Sequence, residues 1–194
     1  MTAGTKRRCV IVGGAPIGDY DNIRSHLRED DWIVFCDCGL KHLPKLQSGS
    51  GRILPGLIIG DFDSYDNPQT SGRDLQLKDI ETILLPTEKD ETDTSYAVSE
   101  ALRRGYRDFL IVGATGGRMD HSLVNVSLLY KLHKAGARAV ALDDYSEMTV
   151  TAKEPSYIDG SFQFFSLLNM FGPSRAVTKV RRSEERRVGK ECRS

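Results

Sequence analysis

The sequence predicts a doubly wound α/β fold, and three observations predict it. Short apolar runs recur along the chain and are continuous rather than alternating, the pattern of strands buried on both faces of a parallel sheet. Amphipathic helical stretches separate several of these runs, so strand and helix alternate. Each run meets Gly, Asp or Pro within two residues of its end, and the polar residues beyond it fall where an open parallel sheet forms its ligand crevice.

The elements follow in order. Cys9–Val12 is the first strand, closed by Gly13 and Gly14, and Asp21–Arg28 is a short helix. Trp32–Phe35, Leu57–Ile59 and Thr82–Leu85 are the next three strands. Asp93–Arg104 sets Ala97, Val98, Ala101 and Leu102 on one helical stripe, with Gly105 as the residue that ends it. Phe109–Val112 is a fifth strand. Ser122–Ala135 carries Leu123, Val126, Leu129, Tyr130 and His133 at helical spacing and ends at Gly136. Ala139–Leu142 closes an α/β domain over 6–145.

Beyond Tyr145 the texture changes. Met148–Thr151, Ser161–Leu168 and Ala176–Val180 read as strands, with Pro155 and Gly160 between the first two. No helical pattern intervenes, so 146–180 is expected to begin an antiparallel β unit, too short to bury a core alone. Arg181–Ser194 has one aliphatic residue, Val188. It reads as a non-native ending from read-through, frameshift or cloning, the alternative being a basic tail for an anionic partner.

Composition narrows the function. The 194 residues carry 27 Lys+Arg and 27 Asp+Glu, so a broad cationic surface for nucleic acid is not expected. No apolar run reaches the roughly 20 residues of a membrane helix, and the basic N-terminus lacks the apolar stretch of a secretory signal. Cys9, Cys36, Cys38 and Cys192 form no CxxC pair. They read as free thiols in a reducing compartment, which points to the cytoplasm.

Chemistry concentrates after the strands. Gly60-Asp61-Phe62-Asp63-Ser64 follows the third run. Asp61 and Asp63, two apart, can face one Mg²⁺, or one of them can cap an Asx turn. Thr87–Asp93 follows the fourth run. Here Asp90 or Thr92 can cap the next helix, Lys89 is a cation beside its phosphate-attracting N-terminus, and Asp93 can join Asp61 and Asp63 around the metal. Gly113–His121 follows the fifth run. Gly116 and Gly117 allow close backbone approach, Arg118 offers a planar fork to phosphate, and Asp120 can cap a helix starting near Ser122. His121 is either a general base or phosphate donor, or a first-turn residue bonded to the loop. The spacing is not that of a Walker loop. Gly13-Gly14-Ala15-Pro16 and Asp37-Cys38-Gly39 close the first two strands in the same manner.

In this order, Gly13-Gly14-Pro16, Asp37-Gly39, Gly60–Ser64, Lys89-Asp90-Thr92-Asp93 and Gly116-Gly117-Arg118-Asp120-His121 resemble the thiamine pyrophosphokinase family. The resemblance runs over about 9–145 and weakly on to 180. It implies a Rossmann-like ATP-binding catalytic domain over 6–145, and over 146–180 the opening of a β-sandwich domain that helps to form the thiamine site. The implied reaction transfers pyrophosphate from ATP to thiamine with Mg²⁺, in a homodimer, giving thiamine diphosphate and AMP. Asp61, Asp63 and Asp93 would be the metal ligands. Asp90 and Asp120 would be candidate proton acceptors, and Gly13, Gly14, Asp37, Lys89, Thr92, Gly116, Gly117, Arg118 and His121 would line the nucleotide. Two departures stand out. Cys38 replaces a usual Gly or Ala, and the family's remaining β strands are missing after 180. A Mg²⁺-dependent phosphohydrolase and a disabled nucleotide-binding remnant are the alternatives.

Overall fold

The computed structural model describes residues 7–48, 53–62, 79–88, 91–152 and 155–169. They fall into two units, divided after Val150. The first is a mixed α/β unit with one mostly parallel sheet. Its strands are β1 (Cys9–Val12), β2 (Trp32–Cys36), β3 (Pro55–Gly60), β4 (Thr82–Leu84), β5 (Asp108–Val112), β6 (Arg138–Leu142) and β7 (Glu147–Thr149), in the order β4-β3-β2-β1-β5-β6-β7. Five pairings are parallel, and β7 alone runs antiparallel, against β6. The helices are α1 (Tyr20–His26), α2 (Leu43–Gln47), α3 (Asp93–Arg103) and α4 (Met119–Lys134), with a 3-10 turn over Asp37–His42.

The continuous apolar runs of the inner strands are explained by burial on both faces, whereas β4 lies at the sheet edge and exposes Leu84. In β1, Cys9 and Ile11 join a cluster with Val98 and Ala101 of α3 and Leu129 and Leu132 of α4. Val10 and Val12 point the other way, to Ile23 of α1 and Leu43 and Leu46 of α2. With both sides covered, no strand position in β1 is free to be polar.

Cys9 and Cys36 are buried free thiols, Cys38 is a half-buried thiol, and Cys192 lies outside the described residues. Burial raises the pKa of both Cys9 and Cys36, which keeps them protonated and unreactive. At the amino end of β2, Trp32 stacks on Tyr106 with ring centroids 4.6 Å apart, and the Arg104 guanidinium lies 5.2 Å from the Trp32 ring. Arg104 is itself held by Glu81 at 2.8 Å and Glu100 at 2.7 Å.

Three expectations are corrected. Met148–Thr151, assigned to a separate β unit, contributes β7 to the α/β sheet through pairs such as Ala141 with Met148. The helix expected from Ser122 starts three residues earlier, at Met119. In the second unit, Ser161–Leu168 forms no strand. A strand needs a neighbour to take its backbone hydrogen bonds, and none of the described residues of that unit supplies one. Phe162, Phe164, Leu167 and Leu168 are exposed there. Ala176–Val180 and Arg181–Ser194 lie outside the described residues. Among the described residues, no helix is long and apolar enough to cross a membrane.

Candidate active site at the carboxyl ends of the strands

Successive strands step away from β1 through β2, β3 and β4, and the chain then returns to the far side of β1 as β5. The carboxyl ends of β1 and β5 therefore flank the point where strand order reverses, the place where open α/β sheets bind ligands. Glycine dictates the contact there. A Cβ on Gly13 would sit 2.5 Å from the Gly113 carbonyl oxygen, and one on Gly113 would sit 2.6 Å from that of Gly13. Gly113 also has φ +59°, which L-residues with side chains rarely adopt. The two loops touch backbone to backbone, tied by hydrogen bonds from Gly13 N to Val112 O (2.9 Å) and from Ala15 N to Gly113 O (2.8 Å).

Those bonds revise the role expected of Gly13–Pro16. Two of its amides already donate to β5 and its loop, and Pro16 has none. On the far side, the Lys41 ammonium donates to the Gly14 carbonyl at 2.5 Å and His42 Nε2 lies 2.9 Å from the Ala15 carbonyl. The segment is a fixed wall more than a ring of free phosphate donors.

The same end of β2 and β3 collects carboxylates. Asp37 follows β2 with φ +37°, and its Cβ lies 2.8 Å from where a Gly60 Cβ would stand. The Asp37 side chain is thus seated against the last residue of β3, one before Asp61. Its Oδ2 accepts from the Cys38 thiol at 3.1 Å, whereas its Oδ1 is buried with no hydrogen bond. A buried carboxylate oxygen without a donor is a costly arrangement that a cation relieves. Asp93 opens α3 and, with Asp37, helps to raise the pKa of the Cys36 thiol at the end of β2, after burial as the main cause. Asp37 and Asp93 therefore approach the same strand end. These all-oxygen donors suit Mg²⁺. Among the described residues, no three His, Cys, Asp or Glu side chains are grouped to hold a metal. Asp63 lies outside the described residues, as do Lys89 and Asp90.

Thr92 is the residue that caps α3, its hydroxyl oxygen accepting from Ser95 N at 3.2 Å. After β5, Gly116 and Gly117 have φ of +94° and +71°. This turn brings the chain straight into α4, so Arg118 is the N-cap, without a side-chain capping bond, and Asp120 is a first-turn residue instead of the expected cap. Ser122 closes the turn, accepting from Gly116 N at 3.1 Å and donating to Arg118 O at 2.9 Å. Arg118 forms an ion pair with Asp120 in which both are exposed, and the guanidinium lowers the Asp120 pKa to about 2. Asp120 is therefore ionised at neutral pH and a weak base. His121 is exposed in the same turn.

Sequence reasoning passed over several residues at this end. Asn125 of α4 donates to the Ala114 carbonyl at 2.7 Å and holds the loop after β5. After β6, the Asp144 carboxylate accepts from Gly18 N and Asp19 N at 2.8 and 2.9 Å. Asp143 accepts from Ser146 N at 2.8 Å and from the Thr115 hydroxyl at 3.3 Å. Acidic residues directly after a strand run were the available signal for the pair. Lys41 and His42 gave none, because they belong to a short turn that sequence periodicity does not register.

Backbone meets backbone where the strand order reverses, and carboxylates gather at the neighbouring ends. That is the make-up of an α/β protein whose ligand crevice lies at a topological switch point. Residues 23–141 match the family described as thiamin pyrophosphokinase, catalytic domain. The chain is 32% identical over 133 residues to a thiamine pyrophosphokinase of Bacillus subtilis, covering 69% of this chain and 59% of that protein. A crystal structure of thiamine pyrophosphokinase from Bacillus subtilis superposes with a TM-score of 0.60 at 27% identity, covering 74% of this chain and 63% of the other. One of thiamin pyrophosphokinase from Geobacillus thermodenitrificans gives 0.54 at 31% identity, covering 70% and 59%. The chain belongs to the thiamin pyrophosphokinase family, through its catalytic domain, and spans 59–63% of the length of these relatives.

Proposed function

We propose that this chain supplies the nucleotide-binding and catalytic part of an enzyme that transfers pyrophosphate from ATP to thiamine. The family match over 23–141 carries this reading, and the meeting of Gly13 with Gly113 beside Asp37, at the switch point of a Rossmann-like doubly wound sheet, supports it. The hydroxyl oxygen of thiamine attacks the β-phosphorus of ATP in line. A new O–P bond forms, the bond between the β-phosphorus and the bridging oxygen to the α-phosphate breaks, and AMP leaves. In such transfers positioning and charge neutralisation do most of the work.

Asp61, Asp63 and Asp93 would hold Mg²⁺, which when bound neutralises phosphate oxygens, and Asp37, seated against Gly60, would add a further carboxylate. Gly13, Gly14, Gly116 and Gly117 let backbone close on the nucleotide. Lys89, Thr92 at the start of α3, Arg118 and His121 would bind its phosphates, and Arg118 would exchange Asp120 for a phosphate oxygen. The hydroxyl proton goes to Asp90 or Asp120, and Asp120 is a weak base while Arg118 holds it. The α/β unit, with β7 as its last strand, forms the catalytic domain, and the residues after Val150 open a β-sandwich that contributes to the thiamine site. The active form is a cytoplasmic homodimer.

The test is product analysis of the full chain with ATP, Mg²⁺ and thiamine. Thiamine diphosphate and AMP in equal amounts are expected. AMP released at the same rate without thiamine would instead mark a phosphohydrolase, and ATP binding with no product a disabled remnant.

A further inference from the structure

We infer that His42, held by Tyr20, is the positioning residue that fixes the Gly13–Pro16 loop for nucleotide binding. The inference rests on the reading of this crevice as an ATP site. His42 is 2% exposed, far more buried than a polar ring needs to be in a turn. Both ring nitrogens are engaged: Nε2 lies 2.9 Å from the Ala15 carbonyl and Nδ1 lies 2.7 Å from the Tyr20 hydroxyl.

The chemistry assigns the protons. A carbonyl oxygen only accepts, so Nε2 carries the hydrogen and donates it. In the neutral ring Nδ1 is then bare, and the Tyr20 hydroxyl donates to it. Burial lowers the pKa of His42, and Lys41 and Lys45 add to this against the pull of the Ala15 carbonyl. The neutral ring is therefore the resting form.

The result is a chain of donors from α1 through the 3-10 turn into the loop, with the Lys45 ammonium 5.1 Å from the Tyr20 ring centre on its outer side. Lys41 takes the neighbouring Gly14 carbonyl in the same way. The loop's other edge is bonded to β5, so the clamp decides where its free face stands. His42 itself touches no reacting atom in this scheme and acts only through Ala15.

The experiment uses the full chain and measures ATP affinity by titration calorimetry with Mg²⁺, beside separate KM values for ATP and thiamine. His42→Asn removes the donor at the Nε2 position. It should weaken ATP binding about five- to tenfold, the value of one hydrogen bond, and leave the KM for thiamine unchanged. His42→Gln, whose longer amide reaches the Ala15 carbonyl, should restore most of the affinity. Tyr20→Phe, which keeps the ring, should show a smaller loss. Nitrogen-15 spectra should show the Nε2–H tautomer.

Unchanged ATP affinity in a folded His42→Asn overturns the inference, as does an equal rise in both KM values or a His42→Gln no better than Asn. If His42→Asn does not fold, His42→Gln and Tyr20→Phe decide: wild-type ATP affinity in Tyr20→Phe together with an Nδ1–H spectrum overturns it. Tight ATP binding without thiamine diphosphate formation would refute the proposed reaction and leave the clamp standing. No ATP binding by the unaltered chain would refute both.

Discussion

Adding a single methyl group at Gly39 should disable the site from within the fold. A Cβ there would lie 2.2 Å from the Val12 carbonyl oxygen, 3.0 Å from its carbon and 3.1 Å from the Gly13 oxygen. Ordinary contact begins near 3.4 Å, so one partner must move by more than an ångström. Neither can do so cheaply. Val12 ends β1, which is paired to β2 on one side and β5 on the other, and Gly13 is bonded to Val112. Overpacking against rigid surroundings costs about 1–3 kcal/mol, occasionally more, and Gly39→Ala belongs at the upper end. At roughly 2–4 °C per kcal/mol for a chain of this size, about 3 kcal/mol is a fall of about 6–12 °C in thermal midpoint. Gly136→Ala is the control. It has φ +71° and nothing within 4 Å, so it costs only backbone strain, about 1–2 kcal/mol. Thermal denaturation by circular dichroism measures both, and ATP titration should show a loss for Gly39→Ala alone. A Gly39→Ala midpoint within 2 °C of the parent, or above that of Gly136→Ala, would refute the steric argument.

Asp37→Asn keeps the shape and suits the positive φ, so the midpoint should hold, while ATP affinity with Mg²⁺ should drop at least about tenfold as the buried charge disappears; calorimetry checks both. Leu132→Ala empties a fully buried position and should cost about 2–5 kcal/mol, seen in urea unfolding. The ion pair with Arg103 holds the Glu100 pKa down at about 2. A depressed carboxylate gives stability that is complete above the ordinary value of 4.5 and is lost as pH falls from there toward 2. Glu100→Gln should therefore cost about 1–2 kcal/mol at pH 7 and flatten the acid limb of a stability–pH curve. An unchanged acid limb would remove Glu100 from the acid transition.

The inner strands were legible because burial on both faces leaves an unbroken apolar run, as in Val10–Val12 and Leu57–Ile59. Helix α3 was legible through its buried stripe of Ala97, Val98 and Ala101; α4 was legible as a helix but its stripe was misread, since it buries Asn125, Leu128, Leu129 and Leu132 while the expected Leu123 is exposed. The 3-10 turn and α2 were not, because Asp37, Gly39 and Pro44 read as loop residues and the segment is held by distant partners, His42 by Ala15 and Leu46 by the core. The start of α4 was misplaced because Asp120 looks like a cap, whereas two glycines of positive φ make the turn and leave Asp120 to Arg118. Ser161–Leu168 has strand composition, but composition cannot supply a hydrogen-bonding neighbour. Of the site, the glycines and Asp37 were readable from their place after strands. The clamp at Ala15 was not, since it joins residues 27 apart through a single ring.

The chain contains one tryptophan, and its setting makes it a selective optical probe. Trp32 begins β2, while the glycine loops and carboxylates lie past the other end of the strand. Its indole stacks on Tyr106 and lies beside the Arg104 guanidinium, a setting that exists only while β2, the end of α3 and the approach to β5 are assembled. Emission from Trp32 should therefore follow global unfolding and remain silent to ligands, whereas Tyr20, hydrogen-bonded to His42, is placed to sense the nucleotide. Excitation beyond the tyrosine band, selective for Trp32, would report loss of the fold, and a difference measurement against Tyr20→Phe would isolate the response of Tyr20 from the other six tyrosines.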